Sequence, residues 1–101
     1  MDYRVVLSPS ARADLRDIIR YISLDDPQRA LQFGQFLISR TRLLIEAPEL
    51  ARIVPEFETA RIREIVVRAY RVIYRVDSST RLIEIFVFGM LLVELRNRFL
   101  H

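Results

Sequence analysis

The chain has 101 residues and carries 16 basic side chains, every one an arginine, against 13 acids, for a net charge of +3. A single domain over residues 1–101 is expected, because a chain of this size buries roughly two thirds of its unfolded surface on folding. With no cysteine and one histidine, at residue 101, disulfides, thiolate metal sites and histidine-based triads are excluded, so no cofactor and no metal is expected.

No apolar run approaches the ~20 residues of a membrane helix, which predicts no membrane association. The opening Met1, Asp2, Tyr3, Arg4 lacks the pattern of a signal peptide, which gives a cytoplasmic expectation. The mildly basic balance permits an acidic or polyanionic partner without requiring one.

Residues 3–7 read as a short strand, closed by Ser8 and Pro9, a serine cap followed by a proline suited to the first helical position. In the helix that follows, Ala11, Leu15, Ile18, Ile19 and Ile22 form an apolar stripe, while Arg12, Arg16 and Arg20 make a contiguous row on another side. That row is either a solvated face relieved by Asp14 and Asp17 or part of a partner-binding surface. Asp25, Asp26 and Pro27 repeat the start signal, and a second helix is expected to run to about Ala47, before Pro48. Its apolar residues fall in two rows, Ala30, Phe33, Leu37, Leu44 and Leu31, Ile38, Ile45. Gly34 lies between the rows, where a close helix crossing would account for a residue that costs ~1 kcal/mol relative to alanine. Residues 48–60 read as an ordered surface loop.

Residues 61–89 then give three β-branched and aromatic runs, broken at Arg68 and Ala69 and again at residues 77–80, which predicts a three-stranded antiparallel meander. Alternation puts Tyr70, Val72, Tyr74 and Val76 on one face of the middle strand and Arg71, Ile73, Arg75 and Asp77 on the other. In the last strand Ile83, Ile85 and Val87 are expected on one face and Phe86 and Phe88 on the opposite one, so this strand is predicted to be central. The expected architecture is α+β, with the first strand paired at one side of the meander and both helices on one face. Ala11, Leu15, Ile18, Ile22, Phe33, Leu37, Ile83 and Ile85 are the expected core.

After Gly89 the pattern suits either a short helix (Leu91, Leu92, Leu95, Phe99) or a strand (Leu91, Val93, Leu95), with the helix favoured. This tail holds more apolar surface than its polar residues offset, which makes Met90, Leu91, Leu92 and Leu95 candidates for a partner-binding surface.

The order of elements resembles the RelE/ParE superfamily of bacterial type II toxins. LSPSARADL at residues 7–15 with IIRYI at 18–22 is similar to the family's first helix, IREI at 62–65 and YRVIYRV at 70–76 to its central strands, and IEIFVFG at 83–89 to its last strand. In members that cut messenger RNA on the ribosome, the resemblance implies a functional arginine at Arg71 and a basic residue at Arg63. After the last strand those members continue with a basic pair and then a tyrosine or histidine. This chain reads GMLLVELRN at residues 89–97, with apolar residues in place of the pair and Asn97 near the expected acid or base. Members of the ParE branch, which act on DNA gyrase, lack that catalytic set. They commonly end the last strand with a histidine and arginines, where this chain has Phe88, Met90 and Leu91.

The leading reading is therefore a ParE-like toxin that inhibits gyrase and is held by a cognate antitoxin in a hetero-oligomer. An attenuated toxin that keeps only antitoxin binding is a variant of it. The enzymatic alternative is a ribosome-dependent ribonuclease using Arg63, Arg71 and Tyr74 or Tyr70, with the simpler account that the tyrosines pack in the core and that Arg71 and Arg75 line an exposed strand face. An RNA-binding module ranks last, since no strand face pairs exposed aromatics as a stacking platform.

Overall fold

The computed structural model describes residues 2–49, 51–54 and 61–90. In chain order they form β1 (Arg4–Leu7), α1 (Pro9–Ser23), α2 (Pro27–Arg42), a 3-10 turn (Leu43–Ile45), β2 (Arg52–Ile53), β3 (Ile62–Val67), β4 (Tyr70–Asp77) and β5 (Leu82–Met90). The tail residues Leu91, Leu92 and Leu95 lie outside the described residues.

Both helices start where the caps dictate. The Ser8 side chain accepts from the Ala11 amide, and Asp26 accepts from the amides of Gln28 and Arg29, each satisfying donors that a helix start leaves unpaired. The two helices cross closely at Gly34, where an added Cβ would sit 2.9 Å from Ile19 Cδ1. The second helical stretch is shorter than expected. Regular α-helix stops at Arg42 and tightens into the 3-10 turn, while Leu31 and Leu43 remain exposed.

The five strands pair in the order β1-β5-β4-β3-β2. The meander is antiparallel throughout, and β1 adds in parallel to β5, with Val5 opposite Ile83 and Leu7 opposite Ile85. Two tight turns connect it, and in each an arginine, Arg68 (φ 55°) or Arg81 (φ 56°), takes the left-handed conformation. In the second turn the Asp77 carboxylate accepts from Ser79 Oγ and from the amides of Ser79 and Thr80, which holds its pKa below the usual carboxylate value.

The segment read as a surface loop contributes β2, whose Arg52 and Ile53 pair with Glu64 and Arg63. A two-residue strand is too short to show the alternation by which strands are recognised.

The main core lies between the sheet and the helices. It joins Ala11, Phe33 and Leu37 to Tyr70, Val72, Tyr74, Val76, Ile83, Ile85 and Phe88, with Leu15, Ile18 and Ile22 packed against it. All eight expected core residues are in this group. One expectation about faces fails. Ile73 pairs with Val87 but Tyr74 pairs with Ile85, so Phe86 is an extra residue in β5. This bulge shifts the alternation by one, which turns Phe88 to the Ile83 and Ile85 side and sends Val87 to a second cluster with Val54, Ile62 and Ile73.

Beyond Ile85, β5 outruns β1, and α1 takes over the exposed edge. Ser8 N donates to Ile85 O (2.9 Å), Ser10 Oγ donates to Phe86 O (3.1 Å), and Phe88 N donates to Asp14 Oδ2 (3.1 Å). Asp14 therefore caps a strand edge rather than simply offsetting the arginine row. Such capping blocks unwanted strand pairing.

Candidate functional site

The candidate catalytic residues come from β3 and β4. Arg63 and Tyr74 are directly opposite each other in the ladder, so both project from the helix-covered face. Tyr74 is fully buried, and its hydroxyl donates to Pro48 O at 2.8 Å. Half-buried Arg63 donates through Nη1 to Glu49 O at 2.6 Å and Ala51 O at 2.8 Å. Together the two side chains hold the backbone of Pro48, Glu49 and Ala51 ahead of β2, supplying donors to carbonyls that regular structure leaves open. Burial pushes the Tyr74 phenol up to about 12, with the Arg63 charge a smaller opposing influence. At neutral pH it is therefore a neutral hydrogen-bond donor, without the poise of a general base.

Arg71 projects from the other face of the sheet. It is 1% exposed and bonds Glu64, itself 3% exposed, through Nε at 2.8 Å and also through Nη2. Arg52 Nε adds a longer contact to the same carboxylate at 3.7 Å. The reading of Arg71 as part of an exposed strand face is therefore corrected: it is a buried ion-pair member, and only Arg75 follows that reading, pairing with Glu84 at 3.0 Å across the strands. The sequence signal for the pair was Glu64, an acid inside a β-branched run on the same sheet face as Arg71. The sheet thus brings Arg63 to Tyr74 but separates both from Arg71. Tyr70, the other candidate tyrosine, is buried in the main core against Phe33, with ring centroids 5.2 Å apart.

Of the candidate partner-binding residues, Arg12, Arg16 and Arg20 are exposed along α1, and Arg12 Nε reaches Leu7 O at 3.4 Å. Met90 ends β5, half-buried against the main core. It lines a surface groove with Asp14, Asp17, Ile18, Tyr21 and Tyr70. Among the described residues no cluster of three His, Cys, Asp or Glu is placed to hold a metal ion, and no helix is long and apolar enough to cross a membrane.

A search of solved structures finds the same architecture in a chain of the chromosomal ParDE TA system from P. aeruginosa. That likeness has a TM-score of 0.72 and 21% identity, covering 88% of this chain and 96% of that one. A chain of the toxin-antitoxin complex RelBE2 from Mycobacterium tuberculosis is similar with a TM-score of 0.61 and 20% identity, covering 89% of this chain and 99% of that one. Comparison with curated protein sequences finds no match. The profile of one family, the ParE toxin of type II toxin-antitoxin system, parDE, matches residues 5–89, which takes in every described helix and all but the first and last residues of the described sheet. The chain belongs to the ParE toxin family of type II toxin-antitoxin systems.

Proposed function

We propose that this protein is a toxin that acts in the cytoplasm by binding rather than by catalysis, with DNA gyrase as its target and a cognate antitoxin protein as its neutralising partner. The observation that carries the reading is the dispersal of the ribonuclease candidates. Arg63 and Tyr74 are committed to the carbonyls of Pro48, Glu49 and Ala51 on one face, and Arg71 is buried against Glu64 on the other. Phosphate-cleaving chemistry needs cations and a proton-transfer group converging on one reacting atom, and this arrangement offers no such point. Membership of the ParE family and the likeness to the P. aeruginosa ParDE chain support the same side of the choice. The binding surface combines Met90 and the apolar tail residues Leu91, Leu92 and Leu95 with the arginine row of α1. The reading requires no cofactor.

Expression of the protein alone, followed by gyrase supercoiling and translation-dependent mRNA cleavage assayed side by side, tests it. Supercoiling should fall and messages should stay intact. Codon-phased cleavage that Arg63→Gln abolishes would reverse the assignment in favour of the ribonuclease.

A further inference from the structure

At the end of the molecule formed by the α1–α2 turn and the β3–β4 turn lies a cavity of about 410 Å³, whose walls include Tyr21, Arg29, Phe33, Phe36, Arg68 and Tyr70. Two cations and no acid line it. Neither guanidinium takes an ion pair among the described residues, whereas Arg71 and Arg75 both do. Arg68 is held in place from two directions. Its backbone sits at φ 55° in a two-residue turn, and its guanidinium lies over the Phe36 ring at 4.4 Å and the Phe33 ring at 5.7 Å. A cation stacked on aromatic faces keeps its N–H edge available for a planar acceptor such as a carboxylate.

We propose that this cavity is a docking site for an acidic peptide segment, taking one carboxylate between Arg29 and Arg68 while a neighbouring apolar side chain packs beside Tyr21 and Phe36. The inference rests on the antitoxin reading for the natural source of that segment. Charge complementarity selects the occupant, and the surroundings select a peptide over a nucleic acid. Arg68 covers one face each of Phe36 and Phe33, and Phe33 also packs against Tyr70, so among the described aromatic residues of the cavity the Tyr21 ring, 67% exposed, is the most open stacking surface. Asp17 and Asp25 line adjoining grooves, so a polyanionic backbone running on from the cavity into either would meet repulsion. A single carboxylate entering at the centre would not.

The test uses two fluorescein-labelled 12-residue peptides of alternating leucine and glutamine, one of them with a single glutamate in place of a central glutamine, titrated into the full chain. The glutamate peptide should bind about tenfold or more tightly, as charge-assisted hydrogen bonds predict. Arg68→Gln and Arg29→Gln should each remove that preference, while Arg40→Gln, at an exposed arginine away from the cavity, should keep it. Thermal melting of each variant reports that it is folded, and because both arginines are exposed these variants should melt like the parent. Equal binding of the two peptides, a preference that survives Arg68→Gln, or Arg68-dependent binding of a 12-nucleotide oligothymidine in place of the peptide would each overturn the proposal. A second titration uses the protein encoded by the adjoining reading frame. Loss of its binding in Arg68→Gln supports the proposal, and unchanged binding overturns it while leaving the antitoxin reading intact. Failure of that protein to bind the parent chain counts against the antitoxin reading, and the peptide titrations still decide the chemistry of the cavity.

Discussion

Glu64 and Arg71 show how a residue that invites a catalytic reading can be spoken for by its neighbours. Both are nearly inaccessible, and each neutralises the other. Removing one partner of a buried pair leaves an uncompensated charge and typically costs about 3–5 kcal/mol, whereas replacing both by apolar residues can be nearly neutral. Arg71→Ala is therefore expected to lose stability on that scale in urea denaturation, and Arg71→Met combined with Glu64→Leu should recover most of it. A fully stable Arg71→Ala variant would contradict this assignment. Tyr74 makes a second prediction. Below pH ~10 folded and unfolded states both hold the phenolic proton, so it adds no pH dependence. Between about 10 and 12 the unfolded chain releases the proton and the folded chain keeps it, so stability falls as pH rises through that window. The full effect is on the order of 2 kcal/mol, and Tyr70, also raised by burial, acts in the same direction. Tyr74→Phe should lose about 1 kcal/mol at neutral pH through the unmade bond to Pro48 O and show a shallower alkaline decline. An identical decline in parent and variant would show that Tyr74 is not responsible.

At the scale of elements, the helix starts and the three-stranded meander were legible because caps, stripe periodicity and alternation all agreed, whereas the end of α2 and the short β2 were not. Ser8 with Pro9 and Asp26 with Pro27 mark the helix starts in the sequence as they do in the structure. The faces of β5 were legible only up to Ile85. A bulge leaves no mark on alternation within its own strand, since it is defined by the partner's register, and Phe86, Val87 and Phe88 are all apolar and suit either face. Phe88→Ala should therefore cost about 3–5 kcal/mol as a core truncation, clearly more than Val87→Ala. A reversed order would return β5 to unbroken alternation. Likewise the depth of Arg71 was hidden, because burial of a charge depends on a partner from another strand. Gly34 was read correctly as a packing residue, but the atom it meets is the far end of a half-buried Ile19 side chain. Gly34→Ala should thus change stability by no more than about 1 kcal/mol, as the helix-propensity gain offsets a small Ile19 shift. Gly34→Leu should destabilise clearly, because its side chain must part the two helices.

On the scale of the whole molecule, the sheet places Arg63 and Tyr74 on its helix-covered face and Arg71 on the other, and the proposed function accordingly turns on surfaces. The apolar tail contributes to those surfaces in the proposed function, so Leu92→Asp and Leu95→Asp should weaken binding of the adjoining-frame protein at least tenfold in calorimetric titration, since each places a charge in an apolar contact. Unchanged affinity would remove the tail from the binding surface. What the likeness of sequence conveyed was the scaffold and family, whereas the choice of target depended on which side chains the scaffold brings together. That choice is tested most directly by titrating the purified protein into a DNA gyrase supercoiling reaction. The account predicts that supercoiling stops as the protein approaches equimolarity with the enzyme and resumes when the adjoining-frame protein is added. Unimpaired supercoiling at a large excess, with the same preparation cutting messages at codon intervals in a translating extract, would contradict it.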